Sequence, residues 1–284
     1  MSKEKMKEKE QKKADVNVAV AAPEEVETPL VVEKDVISPT EIKEVEKETK
    51  PELKVDVSSW VPKTAIGKQV HAGAITNIDQ ILDQGQPILE EQIVDMLMPN
   101  MSSELLMIGQ SKGKFGGGAK RIFRQTQKKT PEGNKPSFAC MAVIGNGNGY
   151  VGIGYGKSKD TVPAREKAVR NAKMALFKIR RGAGSWEDAT SEPHSIPWKV
   201  EGKCGSVRIE LMPAPKGKGL IVEEECAKIL KLAGVENVYS KTYGQTRSKM
   251  NVVYALIDAL HKLGSFKPRE RDMKSVYMIE GMRK

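Results

Sequence analysis

The chain has 284 residues, and its 47 lysines and arginines against 37 aspartates and glutamates give a net charge of +10. That length fits one large domain or two modest ones, and the three cysteines and three histidines are too scattered for a disulfide framework or a zinc site. The odd, scattered cysteine count favours a reducing cytoplasm, and we expect no membrane span and no signal peptide.

The charge is unevenly distributed along the chain. Residues 1–57 hold 11 lysines and 15 acidic residues, a balance of −4, with no aromatic residue and no glycine. Such a segment buries too little apolar surface to offset its ordering entropy, which predicts a disordered N-terminal extension. The remainder holds 36 basic and 22 acidic residues, or +14. This excess favours a polyanionic partner such as nucleic acid, and solvated lysines are the alternative.

Order is expected to begin with an extended lead-in segment over residues 58–87, which includes a short helix around Asn77–Leu82. The next stretch, Ile88–Leu97, predicts an amphipathic helix that Pro99 ends. Its apolar face is predicted to consist of Leu89, Ile93, Met96 and Leu97.

A basic glycine-rich loop follows, between strands predicted at Glu104–Gln110 and around Ile122–Thr126. Its cations and aromatic residues are Lys112, Lys114, Phe115, Lys120, Arg121 and Phe123. Exposed backbone N–H groups and flexible cations suit a phosphodiester backbone, and the aromatic rings can stack on bases or anchor the loop. The loop therefore predicts an RNA contact, with a solvated turn as the alternative.

A hairpin lies at the centre of the chain. Lys128–Ser137 is a polar stretch that predicts a turn, and the runs Phe138–Ile144 and Tyr150–Tyr155 alternate in character. The Asn-Gly repeats between these runs predict a β-hairpin, because both residues tolerate the positive φ of primed turns.

Glycines at alternate positions leave one face of the returning strand bare. A helix is predicted next, over 161–180, with outward cations at Arg165, Lys167, Arg170, Lys173 and Lys178. We expect this helix to cross the bare face at Gly152 and Gly154, because Ala168 and Ala172 allow a close approach. Coverage of these glycines by RNA is the rival hypothesis.

Two enzyme motifs occur in the hairpin, and both lack their structural context. The GxGxxG match at Gly147, Gly149 and Gly152 spans a hairpin, and Ala172 stands where the dinucleotide fingerprint needs an acid. The sequence Gly156-Lys157-Ser158 resembles the end of a P-loop, but Val151 replaces its first glycine. No catalytic constellation is apparent, so we predict no enzyme, no cofactor and no metal site.

The second half begins after a linker predicted at 181–195. Ile196–Val200 and Ser206–Leu211 predict a hairpin, and three glutamates from Glu223 mark the start of a helix that Gly234 ends. A strand at Val238–Lys241 and a helix at Asn251–Leu263 follow; the buried positions of that helix are predicted to be Val252, Val253, Leu256, Leu260 and Leu263. The charged tail, 265–284, is expected to be extended.

These elements predict an α+β protein with an αβββα domain at 88–180 and a small ββαβα domain at 196–264. An αβββα unit with a basic second helix is also how double-stranded-RNA-binding domains contact phosphates and 2′-hydroxyls.

Several blocks between about 60 and 263 resemble the universal small-subunit ribosomal protein five family, in its archaeal/eukaryotic type. They are Gly117-Gly118 with Arg121 and Phe123, Val143–Gly154, Gly156-Lys157, Lys167-Ala168, Ala172-Lys173, Arg180–Gly182, Gly184–Trp186, Pro193–Ser195, Lys199–Val207, Pro213–Gly217, Leu232–Val235, Tyr243–Thr246 and Asn251–Val253. The sequence departs from the family at Lys128–Ser137, which looks inserted. It also departs at Glu187–Thr190, where many archaeal relatives have a cysteine pair.

The resemblance implies a double-stranded-RNA-binding-like first domain and a second domain with a left-handed βαβ crossover, the unusual hand. It implies a structural protein of the cytoplasmic ribosome that binds small-subunit rRNA. It also implies contact with mRNA where it enters the subunit, with neighbouring small-subunit proteins three, four and eight as partners. The expected roles are support of decoding accuracy and of mRNA unwinding. A nucleotide-dependent enzyme and a free-standing double-stranded-RNA-binding regulator are the alternatives.

Site residues follow from charge and from the resemblance together. The predicted RNA-binding set is Lys112, Lys114, Gly117, Gly118, Lys120, Arg121, Phe123, Lys157 and Lys159. The predicted protein-interface set is Pro213, Pro215, Lys216, Gly217, Tyr243, Gly244 and Thr246, where the family meets protein four.

Overall fold

A computed structural model describes residues 60–111, 120–188 and 191–281. The predicted N-terminal extension lies outside these ranges, as do Lys112, Lys114, Gly117 and Gly118 of the predicted RNA contact. The helices are α1 Ala65–His71, α2 Ile78–Asp83, α3 Glu91–Leu97, α4 Thr161–Met174, α5 Glu224–Leu232, α6 Lys249–Ser265 and α7 Glu270–Ser275. The strands are β1 Ser102–Leu106, β2 Arg124–Thr130, β3 Gly133–Gly145, β4 Tyr150–Ser158, β5 Leu176–Lys178, β6 Arg180–Arg181, β7 Val200–Cys204, β8 Val207–Pro213, β9 Leu220–Ile221, β10 Val238–Tyr243 and β11 Ile279–Glu280.

The first half contains a five-stranded sheet built around β3. β1 and β2 pair with β3 on one side, β4 pairs with it on the other, and β5 pairs with β4, all antiparallel. The predicted αβββα order is therefore too short, because four strands precede α4 and a fifth follows it. The helix predicted over 161–180 ends at Met174, since the residues after it form β5.

Helix α4 crosses the bare face of β4. A Cβ atom built on Gly152, Gly154 or Gly156 would lie well inside contact distance of the helix backbone. The carbonyl oxygens that it would meet first belong to Ala172, Ala168 and Ala164, and these three alanines are fully buried. The predicted crossing is confirmed: the glycines let the backbones of strand and helix touch.

The lead-in segment is less extended than predicted. It contains two helices, of which α2 was predicted and α1 was not. Thr64 caps α1, because its hydroxyl oxygen accepts a hydrogen bond from the N–H of Gly67 at 3.0 Å. The sequence signal for α1 was Thr64, a preferred N-cap residue type, before a short amphipathic stretch.

The predicted apolar face of the next helix is wrong in two positions. Leu89 is 65% exposed and Met96 is 37% exposed, whereas Ile93 and Val94 are buried. The helix begins only at Glu91, so Leu89 precedes it and the buried stripe shifts.

Lys128–Ser137, predicted as a polar turn, is a long hairpin. β2 and β3 pair in register from Arg124 opposite Ala139 to Thr130 opposite Gly133. Polar side chains at nearly every position hide the strand period, because both faces of this hairpin are exposed.

The second half contains a sheet in the order β7-β8-β10-β9. Its first hairpin joins β7 to β8 with a turn at Gly205. β7 begins at Val200, where the predicted first strand, Ile196–Val200, ends. α5 and α6 match the predicted helices, and all five predicted buried positions of α6 are buried. The short β9 lies parallel to β10, so α5 links two parallel neighbours and the strand order exceeds ββαβα by one. The left-handed crossover stays a prediction.

The predicted linker and tail contain paired strands. β6, at the start of the predicted linker, pairs with β11 of the tail, and α7 precedes β11. The tail is therefore not wholly extended. Within the described residues, no helix is long and apolar enough to cross a bilayer, and no group of His, Cys, Asp and Glu side chains could hold a metal ion.

The largest of three buried hydrophobic clusters among the described residues is shared by the two sheets. Met141, Val143 and Val151 from the first sheet belong to the same buried cluster as Ile209 of β8 and Leu256 of α6. The two halves therefore cover each other's apolar faces.

Candidate nucleic-acid interface

The cations of α4 divide into two groups. Near its C-terminal end, Lys173 Nζ lies 2.7 Å from Asp95 Oδ2 and Arg170 Nε lies 3.2 Å from Glu91 Oε1. The Lys173 and Asp95 side chains are only 11% and 19% exposed. Helix α3 therefore covers Lys173, whereas Arg170 stays 56% exposed beside its carboxylate partner.

Exposed cations without a carboxylate partner lie at and just before the N-terminal end of α4. Lys157, at the end of β4, and Lys159, in the loop before α4, are exposed, as are Arg165 and Lys167 in the first turns of the helix. None of these four has a carboxylate ion-pair partner within the described ranges. Their charge is therefore available to phosphate groups, and the phosphate contacts of Lys157 and Lys159 stay predictions.

The described ends of the predicted glycine-rich loop are held together. Ser111 forms a β-bridge with Lys120, and the N–H of Gly109 donates to the carbonyl of Arg121 at 2.8 Å. Arg121 is exposed. Phe123 is partly buried and packs against the cluster that includes Cys140 and Ala142, which fits an anchoring role for its ring.

The cations of the β2–β3 hairpin were not among the residues predicted from the sequence. Arg124, Lys128 and Lys129 lie exposed on β2, and Lys135 lies exposed on β3, where it contacts Glu132 at 2.7 Å. Register places Lys128 opposite Lys135, a like-charge pair that destabilises an isolated hairpin. The sequence signal for these exposed cations was their high density in a segment that has no apolar face.

Register also aligns cations from two strands. Arg124 lies opposite Ala139, and Ala139 lies opposite Lys157, so the three side chains share one face of the sheet. Across two strand spacings the cations stand about 10 Å apart, with a small residue between them. This basic row faces away from α4 and toward the second half of the molecule.

The hairpin tip is already occupied by protein. The N–H groups of Gly147 and Gly149 donate to the carbonyls of Leu232 and Ala233 at 2.8 and 3.0 Å. These carbonyls are the terminal acceptors of α5, which the tip therefore caps. With its N–H groups so used, the tip offers no cradle for a nucleotide.

A buried polar network near this tip also lacks catalytic geometry. His194 pairs with Asp188, and its Nδ1 lies 3.0 Å from Asn237 Nδ2. The neighbouring Ser195 hydroxyl donates to the carbonyl of Asn237 and is buried. Because that serine does not reach the imidazole, the network supplies no nucleophile–base pair.

The predicted protein-interface residues form two separate groups. Pro213 lies opposite Val238 at the start of β10, whereas Tyr243 ends that strand opposite Arg208. Five residues of strand separate them by about 17 Å. Pro215, Lys216 and Gly217 accompany the first group, and Gly244 and Thr246 accompany the second.

Comparison with known proteins gave consistent matches. The family model for Ribosomal protein S5, N-terminal domain, matches residues 122–180, and that for Ribosomal protein S5, C-terminal domain, matches residues 202–273. Small ribosomal subunit protein uS5 of Nanoarchaeum equitans is 47% identical over 227 residues, covering 80% of this chain and 97% of that protein. The protein of the same name from Methanocaldococcus jannaschii is 39% identical over 229 residues, covering 81% and 99%. That from Thermofilum pendens is 42% identical over 207 residues, covering 73% and 95%.

Proposed function

This chain belongs to the ribosomal protein S5 family, and from that premise we propose that it is a structural, non-enzymatic component of the small ribosomal subunit that binds rRNA. The observation that carries the proposal is similarity over 97% of a small-subunit protein, spanning both halves of the described fold.

The distribution of charge supports an RNA partner. The exposed cations at Arg121, Arg124, Lys128, Lys157 and Lys159 lie on neighbouring strands and loops of the first sheet, without carboxylate partners among the described residues. Cations that neutralise phosphates release counterions, and this release drives binding to nucleic acid. The used N–H groups of the hairpin tip weigh against the nucleotide-dependent enzyme.

The finer proposal concerns position within the ribosome. Following the family resemblance, we place the protein in the cytoplasm, where mRNA enters the small subunit, and expect it to support decoding accuracy and mRNA unwinding. Small-subunit proteins three, four and eight are the proposed neighbours. The two groups at opposite ends of β10 lie about 17 Å apart, a distance that one standard protein interface covers, so both can contact protein four.

Co-sedimentation tests the proposed function. The protein, tagged and expressed in an archaeal host, should appear in the small-subunit peak of a sucrose gradient and remain there after a high-salt wash. Recovery at the top of the gradient would contradict the proposal and favour the free-standing RNA-binding regulator.

Residues 1–57 are expected to be dispensable for assembly. Their balance of −4 is repelled by rRNA, so a chain that starts at Ser58 should enter small subunits at near-normal occupancy. Quantitative mass spectrometry of purified subunits measures this, and exclusion of the shortened chain would refute the expectation.

Lys157 and Lys159 are expected to neutralise two phosphates. The variant Lys157→Ala/Lys159→Ala should reduce the slope of log affinity for small-subunit rRNA against log salt by about 1.4 to 1.8. The control Lys199→Ala/Lys262→Ala removes the same charge from lysines that already pair with Glu210 and Asp258. Equal slopes for both variants in filter-binding titrations would mean that the two predicted lysines make no specific phosphate contact.

A further inference from the structure

Four cations meet where the two halves of the fold adjoin, and we call Lys120, Arg124, Arg247 and Lys249 the junction cluster. Lys120 and Arg124 belong to the first half, and the other two belong to the second. Lys120 Nζ donates to the carbonyl oxygen of Arg247 at 3.0 Å. Arg124 Nη1 lies 3.7 Å from Met250 Sδ, next to Lys249 in the chain. Two independent contacts thus hold the cluster together.

Most of this charge lacks a carboxylate partner. Lys120 donates to a carbonyl and Arg124 approaches a thioether, which are both neutral groups. Within the described ranges Arg247 makes no ion pair, whereas Lys249 pairs with Glu223. Glu225 lies near Lys120, but it is buried and already bonded to Lys228 and to the N–H of Met107. Three cations therefore remain in excess.

Proximity makes this arrangement unfavourable without an anion. Partial burial and the nearby Arg247 lower the pKa of Lys120, although Glu225 opposes the shift. Partial burial and Lys120 likewise lower the pKa of Lys249. Like charges held together at a half-buried surface repel one another, so binding of a multiply charged anion stabilises them.

The cluster continues into a longer basic track. Arg124 belongs to the row that includes Lys157, and Lys128 stands four residues further along β2 on the same face, about 13 Å away. A uniformly charged chain can follow such a track along the hairpin, whereas an acidic protein loop would meet only part of it. The geometry therefore favours a nucleic-acid backbone over an acidic protein.

We propose that the junction cluster binds the phosphate backbone of an RNA strand that crosses from the first half of the molecule to the second. The proposal rests on the proposed rRNA binding and specifies where one strand lies. It assigns phosphate contacts to Arg124 and Arg247, neither of which was predicted from the sequence, beside the predicted Lys120; Lys249 is already neutralised by Glu223.

Salt-dependent binding of the full chain to a small-subunit rRNA transcript tests the proposal. Arg124→Ala/Arg247→Ala, with one change in each half, should reduce the log–log salt slope by about 1.4 to 1.8. Arg124→Lys/Arg247→Lys keeps the charge and should keep the slope. Arg208→Ala/Arg271→Ala is the matched control, because both arginines are exposed and outside the proposed track. Matching thermal melts for all variants would show that folding is intact.

The outcomes separate this proposal from the function on which it rests. An unmodified chain with no salt-dependent affinity for the transcript would refute rRNA binding itself. Strong binding by the unmodified chain, with equal slopes for the junction and control variants, would overturn only the junction site. If the junction variant keeps its binding to rRNA but loses binding to poly-glutamate, the junction site is also overturned, in favour of an acidic protein partner.

Discussion

Gly154→Ala should lower the free energy of unfolding by about 3 kcal/mol, the upper end of the usual cost of overpacking. The added methyl group would meet the backbone of α4 at Ala168, Asn171 and Ala172, and a backbone cannot rotate away as a flexible side chain can. The helix would have to lift from β4. Urea titration of the full chain without RNA measures the loss.

Gly264→Ala is the matched control for this change. Gly264 lies near the end of α6, and a Cβ atom there meets no heavy atom within 4 Å. Its replacement should stabilise the protein by about 0.5 to 1 kcal/mol, because alanine loses less backbone entropy in a helix. Gly154→Ala protein that unfolds at or above the wild-type urea concentration but fails to join subunits would show that the glycines serve RNA and not the helix.

Met141→Ala should lower the free energy of unfolding by about 2 to 5 kcal/mol. Met141 lies on β3 and is fully buried in the core that both sheets share. The cavity would therefore weaken the second half as well as the first. Hydrogen exchange should show reduced protection at Ile209 and Leu211 of β8, although neither residue belongs to the first sheet.

Met107→Ala is the corresponding control, since the same atoms leave a side chain that is 37% exposed. We expect a smaller cost, about 1 to 2 kcal/mol, because water fills the space that this partly exposed side chain leaves. Unchanged exchange in β8 of Met141→Ala protein, despite a loss of stability in the first sheet, would contradict a shared core.

Local sequence patterns predict many of this protein's secondary-structure elements, and its motif blocks predict its family. The Asn-Gly turns require a hairpin between Phe138 and Tyr155, Gly234 ends α5, and the apolar period of α6 identifies its buried positions. The alternating glycines of β4 and the alanines of α4 even predicted a contact between elements. Turn chemistry, capping and hydrophobic period are properties of neighbouring residues, so they can be read along the chain.

Which cations lack a carboxylate partner depends on the packing of distant elements. Arg170 and Lys173 look as suited to phosphate as Lys157 and Lys159, yet α3 supplies carboxylates that pair with the first two. The polar Lys128–Ser137 hairpin gave no strand period, because neither of its faces is buried. Arg247 and Lys249 adjoin Lys120 and Arg124 only after the halves have packed together. The availability of a charge depends on groups that are distant in sequence, because electrostatic partners are set by distance in space.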